Sequence, residues 1–213
     1  MVLNIVIVGV GGQGLLSIAQ LIGWASLESE LNVLIAETHG LSQRGGSVIV
    51  HVRLGDVTSP LIPTGRANIM LALEILEAAR YIKYMRKDSL AIINRKLIKP
   101  NIPGVKVEGE ENIVSTIKSR VRYAYFIDAT AKALKEGNPV GANMVVLGFL
   151  GNILERASIL REGLLRRYAE KIGRSDLAIV NKRLYEWGYS LVDEEIDSEV
   201  VNAVKTWLLK EIP

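Results

Sequence analysis

The sequence contains no cysteine and only two histidines, His39 and His51, among its 213 residues. Without cysteine the chain can form neither disulfides nor thiolate-ligated iron–sulfur clusters of its own. The two histidines lie on different predicted elements and have no cysteine beside them, so we expect no metal site in this chain. The absence of cysteine also favours an intracellular protein, and we expect a cytoplasmic location.

The sequence also lacks blocks of one charge sign and long hydrophobic runs. Lys and Arg number 26 against 23 Asp and Glu, and the two signs are interleaved along the chain. A nucleic-acid partner would call for a concentrated basic stripe, so none is expected. No run reaches the roughly 18 apolar residues of a membrane span, and no signal-peptide pattern precedes the first strand. We therefore expect no membrane association.

Strand and helix patterns alternate up to Asp128. Apolar runs rich in β-branched residues predict strands at 5–8, 33–37, 47–54, 69–73, 90–93, 105–107 and 124–127, with helices at 15–29, 74–85 and 111–120. We expect the first two strands and the helix between them to form a βαβ unit with parallel pairing. The alternation predicts an α/β fold, namely a Rossmann-like, doubly wound, mostly parallel sheet.

Beyond Asp128 only helical patterns remain, at 129–136, 142–156, 160–172, 176–192 and 198–211. No linker rich in glycine, serine or proline separates the two parts. We therefore expect residues 1–213 to form a single domain, with a Rossmann-like α/β core over 1–128 and a helical extension over 129–213 packed on it. The last helix should bury its apolar face mainly against this domain, and Asp128 is expected to cap the helix that follows it.

A glycine-rich turn joins the first predicted strand to the first helix. Gly9, Gly11 and Gly14 satisfy the pattern G-x-G-x-x-G, with Gly12 and Gln13 between them. Such a turn lets the backbone approach a phosphate, and the helix N-terminus behind it attracts an anion. The pattern permits an NAD or FAD site, in which Glu37 at the end of the second strand would bind a ribose hydroxyl. It equally permits a Rossmann-like turn that binds no nucleotide.

A second loop follows the second predicted strand. Ser42 and Gln43 can donate hydrogen bonds, and the planar Arg44 guanidinium suits a carboxylate or a phosphate. Gly45 and Gly46 allow close backbone approach. Since both loops leave the carboxyl ends of strands that we take as neighbours, they are predicted to line one crevice. The structural alternative is a connecting loop with an exposed arginine.

These motifs resemble a known family. The Gly-Val-Gly-Gly-Gln-Gly turn at 9–14, followed by Ser-Gln-Arg-Gly-Gly-Ser-Val at 42–48, resembles the γ-type domain of 2-oxoacid:ferredoxin oxidoreductases. The Asn-rich helix start at 138–148 and the Asn…Gly-Tyr stretch at 181–189 are similar to further parts of that family. The likeness extends over most of the chain. Within the family it is greatest to the small, β-type subunit of the indolepyruvate enzymes.

The resemblance implies a subunit that is not catalytic alone. Enzymes of this family oxidatively decarboxylate 2-oxoacids to acyl-CoA and pass electrons to ferredoxin; in the indolepyruvate type the substrates are aryl 2-oxoacids. Thiamine diphosphate, Mg and 4Fe–4S clusters are then expected on a large partner subunit. The missing cysteines and the missing thiamine–Mg motif agree with that division. The small subunit would help to form the coenzyme A and substrate side of the thiamine site.

Carried onto this sequence, the resemblance implies no catalytic and no metal-binding residue. The coenzyme A-binding role falls on the two loops and one helix start: Gly9, Gly11, Gly12, Gln13, Gly14, Ser42, Gln43, Arg44, Gly45, Gly46 and Asn143. Two alternatives remain open: a standalone NAD(P)- or FAD-dependent Rossmann oxidoreductase, and a non-catalytic assembly protein. The remaining titratable candidates are His39, which could titrate near neutral pH beside the second loop, and His51, which alternates on its strand and is expected at the surface or at an interface.

Overall fold

The computed structural model describes residues 2–39, 46–99, 108–172, 175–196 and 198–209. Six strands form one sheet in the order β2-β3-β1-β4-β5-β6: β1 (Val2–Val10), β2 (Val33–His39), β3 (Ser47–Gly55), β4 (Ala67–Ala72), β5 (Met85–Asn94) and β6 (Tyr123–Ile127). The described residues also form the helices α1 (Leu15–Glu28), α2 (Ile75–Tyr81), α3 (Glu110–Arg120), α4 (Ala129–Lys135), α5 (Ala142–Arg156), α6 (Leu164–Ala169), α7 (Ser175–Glu195) and α8 (Ser198–Leu209).

Five of the six strands run in one direction, and β3 runs against them. β1, β4, β5 and β6 pair in parallel, whereas β3 lies antiparallel between β1 and β2. The predicted α/β fold with a mostly parallel sheet is confirmed. The predicted direct pairing of the first two strands is wrong, because β2 and β3 pair as a hairpin and the crossover through α1 passes over β3. An apolar run locates a strand but does not identify its partner.

The sheet is buried on both faces, as the uninterrupted apolar runs indicate. Ile5 and Ile7 of β1 pack with α1, α5 and α8, whereas Val6 and Val8 face α2 and α3. The helices after Asp128 contact the sheet through α5 and α8. Trp207 of α8 is buried on this chain and its Nε1 donates to Asp88 Oδ2 at 3.1 Å. None of the helices in the described part of the chain is long and apolar enough to cross a membrane.

Several predicted elements differ from the structure. The helix predicted over 74–85 is α2 followed by a short 3-10 turn, and Met85 already begins β5. The helix predicted over 160–172 is reduced to α6, because Gly163 just before it has a φ of 74°. Asp128 occupies the N-cap position of α4 but makes no side-chain capping bond. The strand predicted at 105–107 lies outside the described residues.

His51 is buried, not at the surface. It lies on β3, an interior strand covered on both faces, and is 3% exposed. Its Nδ1 accepts a hydrogen bond from the backbone N–H of Ile62 at 3.3 Å, and its ring meets the edge of Tyr84. Burial, with a smaller contribution from the charge of Arg53, lowers the pKa of His51. The alternation along β3 suggested exposure, because the pattern within a strand carries no information about the loop around Ile62 that covers this face.

Helices α5 and α7 approach until their backbones touch. A Cβ built on Gly148 would overlap the carbonyl oxygen of Tyr185, and one built on Gly188 would overlap the carbonyl oxygen of Val145. Only glycine allows this approach at both positions. The crossing fixes α5 against α7, and with it the N-terminus of α5, which carries Asn143.

Candidate anion-binding crevice

The glycine turn between β1 and α1 exposes the N-terminus of a long helix. Gly12 and Gly14 have φ values of 96° and 78°, a conformation that favours glycine. No side chain caps α1, and its first turn carries no acidic residue. The first backbone N–H groups of the helix therefore remain available to an anion.

Gln13 holds this turn in place. Its Oε1 accepts from the backbone N–H of Val10 at 2.7 Å, and its Nε2 donates to the carbonyl oxygen of Leu73 at 3.2 Å. The side chain thereby joins the turn to the end of β4. Because both ends of the amide are engaged by the backbone, Gln13 shapes the turn, and these bonds leave the second N–H of its Nε2 unused.

The glycine turn meets the end of the second loop. Gly11 N donates to Gly46 O at 2.9 Å, so the two loops touch although β1 and β2 are not neighbours. The contact arises because β3, which begins at Ser47, lies beside β1 and leads the loop back to the turn. The Gly11 N–H is consequently not free to bind a ligand. Ser42, Gln43, Arg44 and Gly45 lie outside the described residues.

Asn143 lies against the glycine turn from the opposite side. A Cβ built on Gly14 would be only 2.5 Å from Asn143 Nδ2. Asn143 stands in the first turn of α5, which also lacks a side-chain cap and an acidic residue in its first turn. Two uncapped helix N-termini thus converge on one point, and their partial positive charges favour a bound anion there.

A crevice of about 250 Å³ lies between these helix ends. Ser17 and Asn143 are the polar side chains on its walls that form no side-chain hydrogen bond within the described chain, while Met144 and Val140 add apolar surface. No charged side chain of the described residues lines it. Its size suits a phosphate together with a short apolar or amide-bearing stretch, and it is smaller than the usual site for a whole cofactor.

Two asparagines that line the crevice are used to hold its far wall. Asn138 Nδ2 donates to Asn181 Oδ1 at 2.9 Å, and Asn181 Nδ2 donates to the carbonyl oxygen of Ile172 at 3.0 Å. Both asparagines are buried. They occur in the stretches that carry the family resemblance, but sequence reasoning assigned them no role, and it missed Ser17 altogether. No local pattern marks these residues, because the helices that they join are distant in sequence.

The start of β3 is anchored by buried groups on α2. The Ser47 hydroxyl bonds to the Glu77 carboxylate and, at 2.9 Å, to the Tyr81 hydroxyl. Glu74 caps α2 through the N–H of Glu77 at 2.7 Å, and burial raises its pKa. These contacts fix the strand that leads away from Gly46, and so stabilise the junction of the two loops.

Two larger cavities carry acidic side chains and lie away from the glycine turn. One of about 690 Å³ is lined by Glu110 and Glu111 together with Arg95 and Lys118, so its charges balance. Another of about 380 Å³ contains Glu155, whose pKa is raised by burial, together with other glutamates. Neither contains the glycine turn. The crevice at the two helix ends is therefore the better candidate.

A dinucleotide site in the usual arrangement is not supported by the topology. That arrangement needs the acid-bearing strand next to the strand that precedes the glycine turn. Here β3 separates β2, which carries Glu37, from β1, and two strand spacings amount to about 10 Å. Glu37 is therefore displaced from the position that a ribose would require.

One protein-family match covers the glycine turn, the crevice and most of the helical extension. The model of the family described as pyruvate ferredoxin/flavodoxin oxidoreductase matches residues 4–191. The chain belongs to this family. The match includes the glycine turn, the crevice and most of α7, so the site lies within the part of the chain that the pyruvate ferredoxin/flavodoxin oxidoreductase family shares.

Relatives within the family agree in sequence and in fold. Indolepyruvate oxidoreductase subunit IorB of Archaeoglobus fulgidus is 46% identical over 151 residues, which cover 70% of this chain and 75% of the relative. Subunit PORC of the pyruvate oxidoreductase from Thermotoga maritima has a TM-score of 0.65 at 19% identity and covers 89% of this chain and 96% of its own.

A third similar structure belongs to a longer chain. It is a 2-oxoglutarate:ferredoxin oxidoreductase from Magnetococcus marinus, solved with 2-oxoglutarate, coenzyme A and succinyl-CoA bound. The TM-score is 0.66 at 21% identity, and the match covers 91% of this chain and 31% of that chain. At this identity the likeness establishes a shared fold and nothing about ligands.

Proposed function

We propose that this chain is the small subunit of an indolepyruvate, or aryl 2-oxoacid, ferredoxin oxidoreductase. It would form the coenzyme A and substrate side of a thiamine diphosphate site on a larger subunit. The observation that carries the proposal is the crevice between two uncapped helix N-termini, in a chain that is 46% identical to an indolepyruvate oxidoreductase subunit. The chain would not be catalytic alone.

The division of labour follows from side-chain chemistry. Because the sequence contains no cysteine, the 4Fe–4S clusters would be held by the larger subunit, together with thiamine diphosphate and Mg. Bound there, thiamine diphosphate supplies the electron sink for decarboxylation. In the overall reaction the bond between the carbonyl and carboxylate carbons of the 2-oxoacid breaks to release CO₂. The acyl carbon bonds to the sulfur of coenzyme A as the thiol proton leaves, and the two electrons released reduce ferredoxin. A cytoplasmic location of this complex remains a prediction.

This chain would bind and orient coenzyme A. The free N–H groups at the start of α1 would hold a phosphate, and the Asn143 amide would donate to the same group from α5. Met144 and Val140 would contact the uncharged part of the molecule. Gly9 and Gln13 would shape the turn, while Ser42, Gln43 and Arg44 would add donors from the second loop. Since the crevice is small, the larger subunit would cover the remainder of the coenzyme.

The test introduces a negative charge on one wall of the crevice in the assembled complex. Asn143→Asp keeps the side-chain shape but places a carboxylate where the anion would bind. We expect the KM for coenzyme A to rise at least tenfold while the KM for the 2-oxoacid changes little. Asn112→Asp makes the same change at an exposed position of α3 and serves as the control. An unchanged KM for coenzyme A in Asn143→Asp would refute the assigned site.

Two further observations separate the alternatives. Purification of the chain from its native host without a larger thiamine- and cluster-containing subunit would overturn the proposal. A standalone dinucleotide enzyme would instead be stabilised by NAD in a thermal-shift titration, because a ligand that binds the native state raises its stability. A non-catalytic assembly protein would copurify with the partner but respond to neither NAD nor coenzyme A.

A further inference from the structure

The solvent-facing side of α1 carries no charge. Its exposed residues are Leu16, Gln20, Trp24 and Leu27, spaced so that they form one continuous stripe along the helix. The first charged residue of the entire sequence is Glu28, at the last position of α1. A surface helix of a globular protein normally turns charged and polar side chains to water, so this helix departs from the rule.

The centre of the stripe is held in place before any partner binds. The Trp24 ring packs on Tyr168 with 5.7 Å between centroids, although Trp24 remains 46% exposed. Tyr168 is fixed in turn by its hydroxyl, which donates to Glu28 Oε2 at 2.5 Å, and Arg167 pairs with the same carboxylate. An aromatic side chain ordered in advance loses little conformational freedom on binding, which is typical of interface anchors.

Charged groups of the described residues border the stripe where α1 finishes, and Lys171 lies over the Tyr168 ring beside Trp24. Arg167 with Glu28, and Arg161 with Glu30, form ion pairs where α1 finishes. An uncharged centre containing tryptophan, with a charged rim beside it, is the composition of a protein–protein interface. The rise of an α-helix gives the stripe a length of about 16 Å from Leu16 to Leu27.

We infer that this stripe docks on the larger, cluster-bearing subunit, an inference that rests on the proposed function. The stripe begins beside the crevice, because Leu16 precedes Ser17 on the crevice wall. Val140 and Leu177, both exposed, extend the apolar surface around the mouth of the crevice. A second copy of this chain would bring no cysteine for a cluster to that mouth. A subunit that carries thiamine diphosphate and clusters would complete the site.

The experiment measures binding of this chain to the purified larger subunit by biolayer interferometry. Leu27→Arg and Trp24→Ala alter the stripe without touching the crevice. The control is Leu61→Arg, at a residue that is 53% exposed and adjoins Ile62 on the other face of the sheet. We expect each stripe variant to raise Kd at least tenfold, since truncation of an interface anchor or a charge placed on it costs that much. Leu61→Arg should bind like the wild type.

Each outcome has a distinct meaning. If both stripe variants bind the larger subunit as tightly as the wild type does, and their melting temperatures are unchanged, the inference is overturned. The proposed function is then left intact. If the isolated chain dimerises and Leu27→Arg disrupts the dimer but not binding to the larger subunit, the stripe serves a second copy and the inference fails. Absence of wild-type binding to the larger subunit would overturn the proposed function and the inference with it.

Discussion

Replacing Gly188 by alanine tests how the α5–α7 crossing stabilises the protein. Alanine is the better helix former, and in an open helix the change would stabilise the protein by about 1 kcal/mol. At this crossing the added Cβ would overlap the Val145 carbonyl oxygen and lie 2.8 Å from its carbon and 3.0 Å from Val145 Cα. Ordinary contacts between carbon atoms are about 3.5–4.0 Å, so the helices must separate.

The separation is costly because the facing surface is fully buried. Val145 and Tyr185 are at most 1% exposed, and moving α5 outward would loosen both. Overpacking of this kind costs up to about 3 kcal/mol, from which the helix-propensity gain of about 1 kcal/mol is subtracted. We expect Gly188→Ala to lose about 2 kcal/mol, equivalent to roughly 4–8 °C in Tm for a chain of this size.

The assay is urea unfolding followed by circular dichroism, with Gly23→Ala as the matched control. Gly23 lies inside α1, where a Cβ would meet only the mobile end of Ile35 at 3.0 Å, so its replacement should be neutral or stabilising. Gly148→Ala should behave like Gly188→Ala, and the double variant should lose less than the sum, because both act on one crossing. A Gly188→Ala midpoint at or above that of the wild type would refute this reasoning.

Three more predictions concern polar groups that are buried or half-buried. Because the folded-state pKa of His51 is lowered, the unfolding free energy should fall as pH decreases below about 6.5, and His51→Gln should remove that slope in urea titrations at several pH values; a wild-type slope in the variant would contradict this. Glu74→Ala leaves two backbone donors without their acceptor and should cost about 2 kcal/mol by urea unfolding; a loss below about 0.5 kcal/mol would contradict it. Gln13→Ala removes bonds to Val10 and Leu73 and should cost about 1–3 kcal/mol in the same assay, and an unchanged midpoint would contradict it.

Local features were predictable from the sequence, and long-range pairings were not. The glycine turn, α1 and α5 follow from short patterns whose physical causes lie within a few residues. The position of β3 between β1 and β2 depends on which strand edges meet, and no local pattern encodes that. His51 was misplaced for the same reason, since the loop that covers it comes later in the chain.

The candidate site shows the same division. Asn143, to which the family resemblance assigns a role with coenzyme A, lies against the glycine turn. Gln13 was assigned to coenzyme A as well, and its amide also joins the turn to the end of β4. No sequence pattern shows that the Leu73 carbonyl lies within reach of this amide, so its structural bond could not be predicted. Asn138 and Asn181 pair across distant helices, so their role becomes visible only after folding.

The antiparallel position of β3 has a consequence for how the chain acquires its structure. β3 pairs with both β1 and β2, so residues 2–55 contain three strands that are consecutive in sequence and are joined through β3. This block can assemble while the remainder is still being synthesised, since its pairings need no later residue. β4 then joins the free edge of β1, and β5 and β6 follow in order. β1 thus lies between the antiparallel strands β2 and β3, which precede β4 in the chain, and the parallel strands β4, β5 and β6. The glycine turn at the end of β1 belongs to the earlier part, and the α5 helix that packs against it belongs to the later part.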